Sequence, residues 1–423
     1  MSQQIERSDF MNVLSSIKKS FNNPFISMRH KNFRYYIIGM FISLIGTWMQ
    51  NIAQPWLAYT LTKSPLLLSL IGALQFTPML IFALFAGVIV DRFPKKNIIF
   101  LTQLASLIIT LILVLLVWSG QIKYWHLLIL ATALGIVNTL DMPARQSFVI
   151  ELVGREDLMN AIALNSMTFN LARIIGPAVA GLVMSFWGIG TCFLVNSISF
   201  AAVIISLFFI KPNYIQNAYK AKVNIAEQIK GGVRYILKNK TLSYAVLVLA
   251  IVGTFAPNFN VLIPVFSAEI LNSGEMGFGL LMSFMGVGSF LGAMYIAISS
   301  KTGPNKLLVS AAPVVVGALL IITGYTHLFF VTGVLIGITG FFLIAFLSSV
   351  NSTLQINSSN EYRGRVMSIY TLVFAGSTPF GNLYAGWFAD HFNPRIGFAA
   401  CGSVIILLMI PVYLKKMKKS VRR

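Results

Sequence analysis

The chain has 423 residues, of which 57% are hydrophobic and only 10% charged, too little polar surface to cover a soluble globule of that size. Its net charge of +20 would fit a nucleic-acid partner in a soluble protein. Here 28 of the 32 Lys and Arg fall in the termini and in alternate loops between apolar runs, which excludes nucleic acid and points to an all-α membrane protein.

The first 30 residues are polar and mixed, and the first apolar run is too long for a signal-peptide core, so no cleavable signal is expected. Residues 1–32 read as a cytoplasmic segment, in which Phe10, Val13, Leu14 and Ile17 admit a short surface helix. Runs of about 20 apolar residues suffice to cross a bilayer. Twelve are present: 33–60, 67–90, 97–118, 124–142, 160–184 and 187–210 in a first half (33–210), then 241–268, 276–300, 305–325, 327–350, 364–388 and 393–414 in a second (241–414). Lys63, Lys123 and Arg395 lie in the loops opposite the basic set, and Arg173 lies within a span, an asymmetry that predicts cytoplasmic termini. Trp56, Trp118, Trp125, Trp187 and Trp387 then sit at the outer ends of spans as an interfacial belt, while Trp48 lies deep in the first. Cys192 and Cys401 fall inside spans and are read as small apolar residues.

Residues 211–240 form the linker between the halves. Within it Ile225, Ile229, Val233 and Ile236 recur at helical spacing among Lys222, Lys230, Arg234 and Lys238. An amphipathic helix on the anionic inner leaflet and a solvated basic linker both fit that pattern. Residues 415–423 form a basic cytoplasmic tail.

The halves repeat one another. Asn51-x-x-x-Pro55 returns as Asn260-x-x-x-Pro264 at an offset of 209, and the polar break beginning at Asp91 returns at Lys301 at an offset of 210. A parallel duplication of membrane helices predicts a transporter whose halves rock about a central site.

Between the second and third spans stands Gly87-Val88-Ile89-Val90-Asp91-Arg92-Phe93-Pro94-Lys95-Lys96. It resembles the G-x-x-x-D-R-x-G-R-[RK] signature of the major facilitator superfamily, with Pro94 where that signature usually has Gly. The resemblance implies a conformational latch built from Gly87, Asp91, Arg92, Lys95 and Lys96 and facing the start of span eleven near Arg363 and Arg365. A carboxylate beside a helix N-terminus would favour the state in which the halves touch. A topogenic basic turn is the alternative. The second copy carries Lys301 in place of the acid, so the latch would be one-sided. Span five carries Arg173-Ile174-Ile175-Gly176-Pro177-Ala178-Val179-Ala180-Gly181, resembling the Gly-Pro-x-x-Gly-type motif of the superfamily's antiporters with the last Gly one residue later. Gly176, Pro177, Gly181 and Pro379 are therefore expected at a hinge-like contact between halves. The run from Gly46 to Leu57, with Asp141-Met142-Pro143-Ala144-Arg145-Gln146 and Asn160-Ala161-x-Ala163-Leu164-Asn165, resembles the enterobactin-exporter branch.

On span one, Ser43, Thr47, Gln50, Asn51 and Gln54 recur at three- and four-residue steps, a polar stripe that should face a cavity. The resemblance implies that spans one, four, seven and ten line it, so Gln50, Asn51, Gln54, Asn138, Arg173, Asn258 and Asn260 are the candidate substrate contacts. Arg173 serves either as an anion anchor or as a structural pair, with Asp141 or backbone carbonyls as partners. Asp141 and Arg145, one helical turn apart, form a candidate gate, and Asp141 and Glu269 are the modest candidates for proton coupling. His126, His327 and His391 are scattered along the chain, so no metal site is expected.

These readings converge on a secondary transporter of the bacterial inner membrane that exports a small organic molecule, a siderophore-like metabolite or a drug, by alternating access. A lysophospholipid flippase of the same superfamily and a non-transporting receptor are the alternatives. No nucleotide loop, metal cluster or nucleophile–base pair is visible, so neither an enzyme nor a cofactor is expected. The protein is expected to act as a monomer among membrane lipids.

Overall fold

The protein, described by a computed structural model, is set out for residues 25–154, 156–211, 225–299 and 306–421, with the side chains of 83, 84, 91, 225–229, 306, 360 and 415–421 left aside. Among the described residues fourteen α-helices follow a short 3-10 turn. The first half comprises α1 (Lys31–Thr62), α2 (Pro65–Arg92), α3 (Lys95–Trp118), α4 (Tyr124–Val153), α5 (Leu158–Trp187) and α6 (Ile189–Phe209). The linker helix α7 (Ile225–Lys238) leads to α8 (Lys240–Phe255), α9 (Phe259–Glu269), α10 (Gly274–Ser299), α11 (Lys306–Tyr325), α12 (Phe329–Ile356), α13 (Asn360–His391) and α14 (Pro394–Val421).

Local chemistry sets the helix ends. The Ser64 hydroxyl accepts from the Leu67 amide at 3.2 Å and Pro65 takes the first helical position of α2. Lys63 turns the chain between α1 and α2 with φ 52. Asn239 caps α8 by accepting from the amides of Thr241 and Leu242.

Eleven helical segments, with α8 and α9 taken together, are long and apolar enough to cross a membrane. The twelfth predicted span, 364–388, lies inside α13, which is less apolar than the others because Ser, Thr, Tyr, Gly and Asn are scattered along it. α13 nevertheless packs along α2 and α8 within the bundle.

Span seven differs from its counterpart. α1 runs unbroken through Pro55, whereas the seventh span breaks between α8 and α9. At the repeat offset of 209, Pro257 replaces Trp48. A second proline supplies no amide to the ladder and its ring crowds the preceding turn. Asn258 covers the break: its Nδ2 donates to the carbonyls of Thr254 and Phe255, both at 3.1 Å.

The two halves pack alike. α2 lies on α4 as α10 lies on α12; α3 pairs with α6 as α11 pairs with α14; α1 meets α5 as α8 meets α13. The halves join along α2–α13 and α5–α10, two contacts that the repeat exchanges. α7 docks on the start of α13: Tyr235 stacks on Tyr362 at 4.4 Å, and its hydroxyl accepts from the Ser359 amide at 3.0 Å, which lowers the Tyr235 pKa. Ile236 is buried there, while Val233 and Leu237 remain exposed.

Candidate functional site

A cavity of about 550 Å³ opens inside the first half, lined by all six of its helices. Its wall on α1 is Tyr36, Met40, Ser43, Leu44, Thr47, Gln50 and Asn51, the predicted polar stripe with apolar neighbours. Asn138, Asp141, Arg145 and Gln146 of α4 face it from the other side.

Gln50 anchors the buried end. Its Oε1 accepts from Asn196 Nδ2 of α6 at 2.6 Å and from the Thr110 hydroxyl of α3 at 3.3 Å, and its Nε2 donates to Gln54 at 3.3 Å. Gln54 is thus support for Gln50 and does not line the cavity. Asp141 is 8% exposed and accepts from Thr102 at 2.6 Å, from Gln103 at 3.1 Å and from Arg145, whose guanidinium also meets Met40. The expected Asp141–Arg145 ion pair is present, and its neighbours complete it, as a buried charge requires. Sequence reasoning missed Thr102, Gln103, Thr110 and Asn196, which sit in strongly apolar runs. Their signal was the helical spacing of Gln103, Ser106 and Thr110 on α3.

Besides Gln54, three predicted contacts lie away from this cavity. Arg173 rests over the Trp48 ring at 5.8 Å and makes no ion pair or side-chain hydrogen bond among the described residues, so of its two readings the structural pair with Asp141 or with backbone carbonyls is not formed. Asn258 is buried at the span-seven break. Asn260 is exposed on α9 outside the cavity lining.

The contact between the halves uses the glycines of α5 and α10. A Cβ on Gly286 would stand 2.9 Å from the Arg173 carbonyl oxygen, and one on Gly279 would overlap the Pro177 carbonyl and lie 2.9 Å from Gly181. One on Gly176 would overlap Trp48 of α1. α5 and α13 run unbroken through Pro177 and Pro379. At one end of the bundle, side chains bridge the halves directly: Tyr59 donates to Glu269 at 2.5 Å, and the Ser64 hydroxyl donates to Asp390 at 2.5 Å. Trp56 stacks on Phe278 at 6.2 Å beside them. This is the end that the charge pattern assigns to the outside.

Of the latch set, Gly87 has open space around it and Arg92 ends α2. Lys95 lies 3.8 Å from Glu151 and Lys96 donates to the Ile210 carbonyl at 2.8 Å, so both lysines act within the first half. The Asp91 side chain and the second copy at Lys301 lie outside the described parts. His126 accepts from the Lys123 amide and His327 faces Arg395.

A family profile described as transmembrane secretion effector matches residues 22–421, nearly the whole chain. The chain belongs to that family of major facilitator transporters. As a member it is a multi-pass membrane transporter that exports small molecules, and it is not an enzyme. It is similar to the staphyloferrin A transporter of Staphylococcus aureus (23% identity, 91% of this chain and 97% of that one) and to macrolide efflux protein A of Streptococcus pyogenes (24%, 89% and 94%). In fold, this major facilitator protein resembles the nucleoside transporter NupG (TM-score 0.74, 11% identity, 90% of this chain and 98% of that one). It also resembles an inward-facing bacterial homologue of the lysosomal transporter Spinster (0.67, 13%, 90% and 94%).

Proposed function

We propose that this protein is a secondary active exporter of the bacterial inner membrane, both termini cytoplasmic, that moves a siderophore-like metabolite or a drug by alternating access. The observation that carries the reading is a cavity of about 550 Å³ with polar groups in its wall, inside one half, paired with side-chain bridges between halves at one end. Substrate is loaded against Asn51 and Asn138, with Gln50 fixing the wall. The Tyr59–Glu269 and Ser64–Asp390 bridges part when the halves rock about the glycine contacts of α5 and α10. Asp91 acts as the opposing latch at the cytoplasmic end, and Asp141 and Glu269 are the carboxylates available for proton coupling. Siderophore and macrolide are what the names of two relatives say of those proteins, and they set the classes to try first.

The test is efflux of a labelled catecholate siderophore and of a macrolide from cells making the protein, with and without a protonophore. Protonophore-sensitive loss of at least one supports the reading. Retention of both, with the protein inserted, overturns it.

A further inference from the structure

The cavity has an unusual balance of charge and hydrogen-bonding capacity. Its ionisable lining consists of Tyr36, Asp141 and Arg145. Asp141 and Arg145 neutralise one another, and Thr102 and Gln103 take up the remaining capacity of the carboxylate. Among the described residues of this lining, a charged ligand would meet no free counter-charge. Arg173, the remaining cation inside a first-half span, is placed against Trp48 and outside the lining.

Neutral hydrogen-bonding groups are abundant and uncommitted. Asn51, Gln75, Asn138 and Gln146 line the cavity, none is buried, and none of their carboxamides makes a hydrogen bond among the described residues. Each carboxamide offers two donors and a carbonyl acceptor. Phe76 and Phe169 supply apolar faces beside them, exposed by 38% and 44%. Apolar walls with a few convergent polar groups are the pattern of a small-molecule site.

We propose that this cavity selects ligands without net charge that carry both N–H or O–H donors and carbonyl acceptors on an aromatic or apolar frame, amide-bearing molecules above all. The proposal rests on the cavity being the substrate site. It follows from the cost of removing an ion from water without a partner, set against carboxamides that can pair with an amide at little cost. An anionic substrate form would have to be neutralised, by protonation or amidation, before binding here.

The experiment compares 2,3-dihydroxybenzoylserine, a carboxylate at neutral pH, with 2,3-dihydroxybenzoylserine amide, in binding to the purified full chain in lipid nanodiscs. The expected result is at least roughly tenfold tighter binding of the amide. Asn138→Arg, which places a free cation in the lining, should reverse the preference, and Asn51→Leu should weaken the amide more than the acid. An acid that binds the native protein as tightly as the amide overturns the proposal while leaving the cavity as the site. The variant Leu44→Trp fills the space from α1. Binding of both probes unchanged in that variant shows that the cavity is not the site and overturns this inference together with the reading beneath it. The same holds if neither probe binds the native protein.

Discussion

In the first half, buried side-chain hydrogen bonds join helices: Gln50 links α1 to α3 and α6, and Asp141 links α4 to α3. In the second half several contacts press backbone on backbone, beside side-chain bonds such as that from Tyr384 to the Ala400 carbonyl at 3.4 Å. A Cβ on Gly288 would overlap the Gly337 carbonyl, one on Gly292 the Phe341 carbonyl, and one on Gly402 the Gly317 carbonyl. Where first-half glycines meet neighbours, these include hydroxyls, Ser206 at Gly39 and Ser199 at Gly46, although Gly135 presses on the Gln75 carbonyl. One packing pattern is thus filled in two ways. Interhelical hydrogen bonds join helices through their side chains, whereas small residues let their backbones approach closely.

The comparison is broken most directly at Asp141. Arg145→Met leaves a buried carboxylate without its counter-charge and should cost about 3–5 kcal/mol, read as loss of thermal stability in detergent. The double change Asp141→Asn with Arg145→Met should recover most of it. A small effect of the single change would mean that water reaches the pair freely. Next comes Gly288→Val, which overpacks α10 against α12 and should cost about 1–3 kcal/mol in the same assay. Tolerance of that side chain would show that the second half is not sealed by backbone contact. Gln50→Leu removes the acceptor for Asn196 and should cost about 1–3 kcal/mol while leaving the second half unaffected. Smallest in its effect on stability is Tyr59→Phe, which deletes one hydrogen bond bridging the halves. It should leave stability nearly unchanged and shift the population toward parting at that end, measured by spin-label distances across α1 and α9. An unchanged distance distribution would exclude Tyr59–Glu269 as a gate.

The candidate site was partly legible. Asn51 and Asn138 announced themselves as amides in apolar runs, and Asp141–Arg145 by its one-turn spacing, because lone polar groups in a membrane helix must find a cavity or a partner. Asn258 and Gln54 sent the same signal and found partners instead, one in the carbonyls of a broken helix and the other in Gln50. Spacing along one helix reports the shared face, not what that face meets. Tyr59, Ser64 and Asp390 carry the bridges at the sealed end, and their pairing spans a separation along the chain that no local pattern encodes.

The sequence by itself determined the all-helical membrane character and where most spans begin, whereas the fourth helix runs eleven residues past its predicted end at 142, to Val153. Membrane character and span starts follow from hydropathy and helical period, which are local properties of the chain. The tertiary structure alone decided that the cavity belongs to one half, that Arg173 faces an aromatic ring and not Asp141, and that Pro257, not Pro177 or Pro379, breaks a span. Each of these depends on which neighbouring helix supplies the missing partner, and that is fixed only once the helices are packed.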